Sequence, residues 1–377
     1  MTTASLESKI RGCVLGAALG DALGGPFEFG PLERVPALTG GDWIDGLYPY
    51  ERASGPHGVW GLPGGGLPPA GTATDDTRLN WLFLELANRL ECMPSARDLA
   101  TRYLEIYEQP DIVFPGHAAI TWKQFEHWEG ACRGYLGQTS ELYPGLTPDV
   151  LLARSLGLNF PVLSGLIAFT WAGLLFPGQP EEAYEASFRA DFYDIGYARE
   201  AVALLAAAIS IAIAEEITPQ ALYERIVTCD PLHLGGEFSE PFVVGHLPQY
   251  YPLVADPQPD QATAWALSVA FRNYPAFDPF RTFAVALLAV LAAEGNPMRS
   301  ILIAVNHVGI NAHGKPVRYE DIDCYGCIAG ALAGALSGVE AFPPALLAQV
   351  AESNRAVYGL DLEGTIARTI EVFHRGR

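Results

Sequence analysis

Two distant segments of this chain carry glycine at every fourth position. Gly12, Gly16, Gly20 and Gly24 recur near the start, and Gly326, Gly330, Gly334 and Gly338 near the end, with alanine interleaved in the second set. Residues four apart lie on one face of an α-helix, yet each glycine inside a helix costs up to about 1 kcal/mol relative to alanine. Two such stripes call for compensation, and close approach of two helix backbones is the natural one. The same spacing brings helices together in membranes, but these segments contain acids. The two helices are therefore expected to pack near one another in a protein core.

Helical periodicity dominates the remainder. Segments near 6–23, 75–91, 97–107, 162–176, 197–216, 279–294 and 322–338 place apolar residues three and four apart, in sequence rich in Ala and Leu. No convincing set of strands with period two stands out, so the fold class is expected to be all-α. Pro and Gly gather in Gly55–Gly71 and in the aromatic-rich Pro231–Pro259. Both mix apolar residues with turn formers and read as large loops within one domain spanning 1–377. The most apolar run, Ala201–Ala214, is too short to cross a bilayer and is bounded by Glu200, Glu215 and Glu216. It reads as a buried core helix, and with no secretory pattern at the start a cytoplasmic location is expected.

Charge narrows the partners. With 43 acidic against 23 basic residues and a net charge of -20, the protein repels polyanions, which argues against nonspecific binding to nucleic acid or anionic membranes. Cys13, Cys92, Cys132, Cys229, Cys324 and Cys327 are too few for a disulfide framework in a chain this long. The lone Cys324-x-x-Cys327 lacks a second pair to complete a zinc site and reads as helix packing.

Chemistry gathers at two predicted helix starts. Thr74-Asp75-Asp76-Thr77 follows the first loop, and Glu320-Asp321-Ile322-Asp323 directly precedes the second glycine stripe. Either alone fits an ordinary N-terminus, with a capping residue and acids in the first turn. Brought together by the striped helices, they would crowd four carboxylates into one pocket. Such carboxylates repel and take up protons unless a cation intervenes. Hard divalent ions such as Mg2+ and Mn2+ suit oxygen donors, and a pair of them could orient a diol or activate a water.

Three segments carry a family resemblance. Gly16-Ala-Ala-Leu-Gly20-Asp21-Ala22-Leu23-Gly24-Gly25-Pro26-Phe27-Glu28, Thr74-Asp75-Asp76-Thr77, and the run from Asp321-Ile-Asp323-Cys324 to Ala335 resemble, in order, the three signatures of ADP-ribosylglycohydrolases. The resemblance covers roughly residues 8–340. It implies an orthogonal all-α bundle, two divalent ions (Mg2+ or Mn2+), and hydrolysis of the N- or O-glycosidic bond at C1″ of ADP-ribose. The partner would be an ADP-ribosylated protein or a ribosyl-containing small molecule. Carried over by position, it implies Thr74, Asp75, Asp76, Asp321, Asp323 and Cys324 as the metal set, with Glu28 or Asp76 moving protons. It also implies Asp21, Gly25, Ser164 and Gly165 beside the substrate.

The chain departs from the family pattern in places. Cys324 replaces a Thr or Ser; a thiol is a poor partner for Mg2+, which weakens or removes the second ion, unless Cys324 merely packs in its helix. Leu163–Trp171 replaces a Gly-Asn-Gly loop ending in Met-Arg, Tyr193-Asp194 stands near a usual Thr-His pair, and Asn311–Arg318 is an insert. These changes keep open two other readings: hydrolysis of another ribosyl N-glycoside, such as a nucleoside-like metabolite, and a non-catalytic ligand-binding or structural descendant. Tyr107, Phe114, Trp122, Phe125, Trp128 and Tyr135 are expected mostly in the core. His117, His127, His307 and His313 are expected as capping, surface or supporting groups.

Overall fold

The computed structural model describes residues 4–156, 160–236 and 239–375. Among these, the first stretch forms α1 (Leu6–Gly24), α2 (Arg34–Thr39), α3 (Asp75–Leu90), α4 (Ala96–Glu108), α5 (Ala118–Tyr135) and α6 (Pro148–Ser155). The second contributes α7 (Ser164–Ala168), α8 (Pro180–Ala190), α9 (Tyr197–Ala214) and α10 (Pro219–Ile226). The third holds α11 (Phe242–His246), α12 (Asp260–Ala270), α13 (Pro279–Ala292), α14 (Pro297–Val305), α15 (Ile322–Ser337), α16 (Pro344–Tyr358) and α17 (Leu362–Phe373). One small antiparallel hairpin, β1 (Val308–Ile310) with β2 (Pro316–Tyr319), pairs Val308 with Tyr319 and Gly309 with Arg318. The all-α class stands, with that hairpin as its exception.

The glycine stripes meet. A methyl built on Gly12 would lie 2.6 Å from the carbonyl oxygen of Gly334, one on Gly16 2.5 Å from that of Gly330, and one on Gly326 2.5 Å from that of Gly20. Positions rising along α1 face positions falling along α15, so the two helices run antiparallel in backbone contact. Gly24, at the end of α1, would drive any side chain into the backbone of Asp323 at the start of α15. This register sets the site: it delivers the C-terminal end of α1 to the N-terminal end of α15. Around the pair pack α9, α13 and α14. The Tyr197–Ala214 helix is long and apolar enough to span a membrane, but 83% of it is buried inside the protein.

Three sequence expectations need correction. The segment near 162–176 is not one helix; it breaks into α7 and a 3-10 turn at Ala172–Leu175. Between them the N–H of Trp171 donates to the Asn80 side chain of α3, 3.3 Å away, instead of continuing the helix. Pro231–Pro259 is not wholly loop, since α11 and a 3-10 helix at Leu247–Leu253 lie within it; residues 237–238 of that stretch lie outside the described residues. The hairpin was missed because strands of three and four residues are too short to show an alternating pattern. It encloses most of the insert, and Asn311 closes its tip by accepting from the N–H groups of His313 and Lys315.

Candidate active site

The start of α3 is held from beneath by α1. Asp21 accepts hydrogen bonds from the Thr74 N–H (2.8 Å), Thr74 hydroxyl (2.9 Å), Thr77 N–H (3.0 Å) and Thr77 hydroxyl (2.6 Å). Thr74 occupies the cap position of α3 but makes no capping bond with its own side chain. Asp321 likewise occupies the cap position of α15 without a side-chain capping bond. The ordinary reading of both motifs as self-capped helix starts therefore fails, and their acids remain uncommitted. Asp21, expected beside a substrate, is instead fully buried and spends both oxygens on α3.

Those uncommitted acids converge. Asp76 and Asp323 each come within hydrogen-bonding distance of the Thr74 hydroxyl, at 3.4 Å and 3.1 Å. The Cys324 thiol lies 3.4 Å from Asp76 Oδ2. Asp76, Cys324 and Asp323 can each present a ligand atom within 4.8 Å of the others; so can Glu28, Asp321 and Asp323. Asp323 belongs to both groups, so two candidate cation positions adjoin. Asp75 is in neither, and its Oδ2 lies 3.7 Å from Nδ1 of the exposed His57. Glu28, expected to move protons, stands among the carboxylates themselves.

Asp76 Oδ1, Asp321 Oδ2 and Asp323 Oδ1 are buried without any hydrogen-bond partner. Leaving buried polar atoms unpaired is costly, and these oxygens belong to acids of two groups that share Asp323, donors that suit hard divalent cations. The fit is better in the all-carboxylate group than in the group containing Cys324. Burial, reinforced by the neighbouring Asp321, holds that thiol well above its ordinary pKa and so keeps it protonated.

The electrostatics agree with crowding. Burial, then the charge of Asp323, raises Glu28 and Asp76 well above the usual carboxylate range. Burial and Asp321 do the same to Asp323, and burial moves Asp321 up to about 7. Asp21 rises to about 6 through burial, even with its four donors pulling it down. A raised carboxyl pKa means that the folded protein retains protons the unfolded chain has released. The contribution of these carboxyls to metal-free stability is therefore fully present below about pH 4 and is lost as pH rises through about 7. A tenfold difference in proton affinity between the folded and unfolded chain corresponds to about 1.4 kcal/mol for each such carboxyl. Thermal midpoints measured from pH 5 to 8 should show that decline, and Mg2+ or Mn2+ should reverse it. At a hundredfold excess over its dissociation constant, one ion stabilises by about 2.7 kcal/mol. A midpoint at pH 8 indifferent to both ions would be incompatible with a metal centre here.

The other expected substrate residues are placed differently. Gly25 follows α1, and a side chain there would strike the Tyr50 hydroxyl. Ser164 is half-buried at the first position of α7. Gly165 donates its N–H to Asp194 Oδ2 at 2.7 Å, which removes that N–H from ligand contact. Asn80 ties this segment to the site: its amide donates to the carbonyls of Asp76 (3.0 Å) and Ile167 (2.7 Å). Its position four residues after Asp76 was the only sequence signal for that role. Among the expected aromatics, Phe114, Phe125 and Trp128 are buried, Tyr107 stacks on Trp122 at 5.3 Å, and Tyr135 is 38% exposed.

An α-helical scaffold whose two touching helices bring a carboxylate-lined centre together defines a class of proteins that could hold divalent cations. Residues 2–376 match the family model for ADP-ribosylglycohydrolase, and the chain belongs to that family. A solved structure described as an ADP-ribosylglycohydrolase-related protein complex shares the fold, with a TM-score of 0.55 and 20% sequence identity over 99% of each chain. No curated protein matches the sequence significantly. The family is one of glycosyl hydrolases that act on ADP-ribosylated substrates and generally use divalent metals.

Proposed function

We propose that this protein is a Mg2+- or Mn2+-dependent hydrolase that cleaves the glycosidic bond at C1″ of an ADP-ribosyl group. The observation that carries the reading is that two helix starts, some 245 residues apart, leave their acids free of capping duty and converge with buried, unpaired oxygens. Glu28, Asp321 and Asp323 would hold one ion, and Thr74, Asp76 and Asp323, with Cys324 alongside, the other. Asp75, at the edge of the cluster, supplies negative charge. When bound, the ions supply Lewis acidity and fix ribose hydroxyls and a water.

The protein's own groups supply the proton traffic. Glu28 is half-buried, whereas Asp76 is wholly buried with one oxygen turned to Thr74 and Cys324. Glu28 is thus the better placed carboxyl for exchanging a proton with a leaving group or an incoming water, as positive charge develops at the anomeric carbon. Asp76 and Asp323 are buried away from bulk water.

The test is release of ADP-ribose from ADP-ribosyl-arginine and ADP-ribosyl-serine with Mg2+ or Mn2+. Turnover of at least one is expected, abolished by chelation; no release beside an active control enzyme would overturn the reading. A second reading, hydrolysis of a different ribosyl N-glycoside, is favoured by the altered Leu163–Trp171 segment, where Asp194 occupies the Gly165 N–H. Nucleoside turnover exceeding ADP-ribosyl turnover would select it. Calorimetry showing no ion bound would leave a non-catalytic descendant.

A further inference from the structure

Basic residues are scarce in this chain, yet three arginines wall one hollow of about 440 Å³ formed by Arg272, Arg281, Arg318, Tyr274, Gly309 and Glu320. Arg281 is buried and committed. It pairs with Glu320 at 3.2 Å, donates to the Tyr274 carbonyl at 3.0 Å, and donates to His307 Nε2 at 3.0 Å. Burial and that guanidinium keep His307 well below its usual pKa, hence a neutral acceptor. Glu320 thus offsets Arg281. Arg272 and Arg318 are both exposed, and neither has a carboxylate partner among the described residues. Arg272 donates to the Val269 carbonyl, at 3.0 Å, and the Arg318 guanidinium lies 5.3 Å over the Phe29 ring. The hollow therefore keeps two uncompensated positive charges in a protein whose net charge is -20.

Its place in the fold is the second observation. Glu320 lines the hollow, and the next residue, Asp321, belongs to the carboxylate group with Glu28 and Asp323. The Phe29 N–H donates to the Glu320 carbonyl (3.2 Å) and the Tyr319 N–H to the Gly30 carbonyl (3.0 Å). These bonds zip the chain just after Glu28 to the chain just before Asp321. Arg318, stacked on Phe29, is thereby set one residue from Glu28. The cationic hollow and the acidic centre therefore adjoin along the backbone, at Glu28-Phe29 and Glu320-Asp321. Arg318 comes from the insert that distinguishes this chain.

We propose that Arg272 and Arg318, framed by Arg281, form a phosphate subsite that holds the phosphate or diphosphate carried by the ribose whose C1″ lies at the acidic centre. The inference rests on the glycosidase reading for what occupies that centre. It selects phosphorylated ribosides over bare nucleosides, since a guanidinium pair recognises phosphate by charge-assisted hydrogen bonds and the rest of the acidic surface repels it.

The experiment is calorimetric binding of ADP-ribose and of inorganic pyrophosphate, in Mg2+, to the wild type, to Arg272→Gln/Arg318→Gln and to Arg272→Lys/Arg318→Lys. Both side chains are exposed, so the fold should persist, as an unchanged thermal midpoint would show. The Gln variant should bind both compounds about tenfold more weakly or worse, and the Lys variant should recover part of the loss. Equal affinity of wild type and Gln variant for both compounds would overturn the subsite. Weakened pyrophosphate with unchanged ADP-ribose would overturn its place on the substrate path. The two readings fail separately. Arginine-dependent ADP-ribose binding without release from any ADP-ribosyl conjugate sinks the hydrolase alone, whereas release with a KM indifferent to both arginines sinks the phosphate subsite alone.

Discussion

Asp323→Asn is expected to lower ADP-ribose release by about 10²–10³-fold, the scale set by losing one well-placed electrostatic group from an active site. Asp323 is common to both carboxylate groups, so its loss weakens both candidate ion positions, whereas Asp75→Asn alters neither directly. The substitution keeps shape and volume, and an amide oxygen can still accept from the Thr74 hydroxyl that now lies 3.1 Å from Asp323. What it removes is one negative charge from a set in which burial and like charge hold Glu28, Asp76 and Asp323 well above their usual range. Metal-free Asp323→Asn should consequently be as stable as the parent at about pH 4 and more stable at pH 8, while losing most of its response to Mn2+. Release assays paired with thermal melts at both pH values check this. A variant that retains parental turnover and the parental metal response shows that the acids act independently and that the shared-ligand arrangement is wrong.

Gly330→Ala should cost about 3–5 kcal/mol, above the 1–3 kcal/mol of ordinary overpacking. Its methyl would press into the backbone of Gly16, where no rotamer change gives relief. Gly16→Ala meets the same contact from the other side, together with the Phe342 ring, so the double variant should fall short of the sum of the singles. Gly46→Ala is the control: nothing lies within 4 Å of the added carbon and its φ is unremarkable, so stability should change by less than about 1 kcal/mol. Denaturant titrations read all four. Any Gly330→Ala protein that folds should also bind metal more weakly although no ligand has changed, because separating α1 from α15 moves Asp323 away from Asp76. A cost below 1 kcal/mol would mean that the stripes are incidental.

Legibility followed locality. The stripes could be read because glycine is unfavourable within a helix, so its recurrence demands an explanation outside that helix. The acids of Thr74–Thr77 and Glu320–Asp323 could be read as residue types suited to hard cations, and the family signatures placed Glu28 near them. The support Asp21 gives α3 was not legible: its partners, Thr74 and Thr77, lie 53 and 56 residues away, and nothing within its own helix marks it as a cap for another. The break in the segment near 162–176 was likewise hidden, because Asn80 captures a backbone N–H from a distant helix. The arginine hollow draws Arg272, Arg281 and Arg318 from separate elements, so no window of sequence contains it.

The amino-acid sequence alone determined that the chain would be helical, that α1 and α15 would seek contact, and which acids could serve a cation, since periodicity, glycine cost and donor chemistry are properties of short stretches. Only the tertiary structure decided that Asp21 supports α3, that Glu28 stands with Asp321 and Asp323, and that a cationic hollow adjoins them. The physical reason is register. Backbone contact between two glycine faces fixes how far one helix slides along the other, and that sliding position, invisible in either segment by itself, selects which side chains meet at their ends.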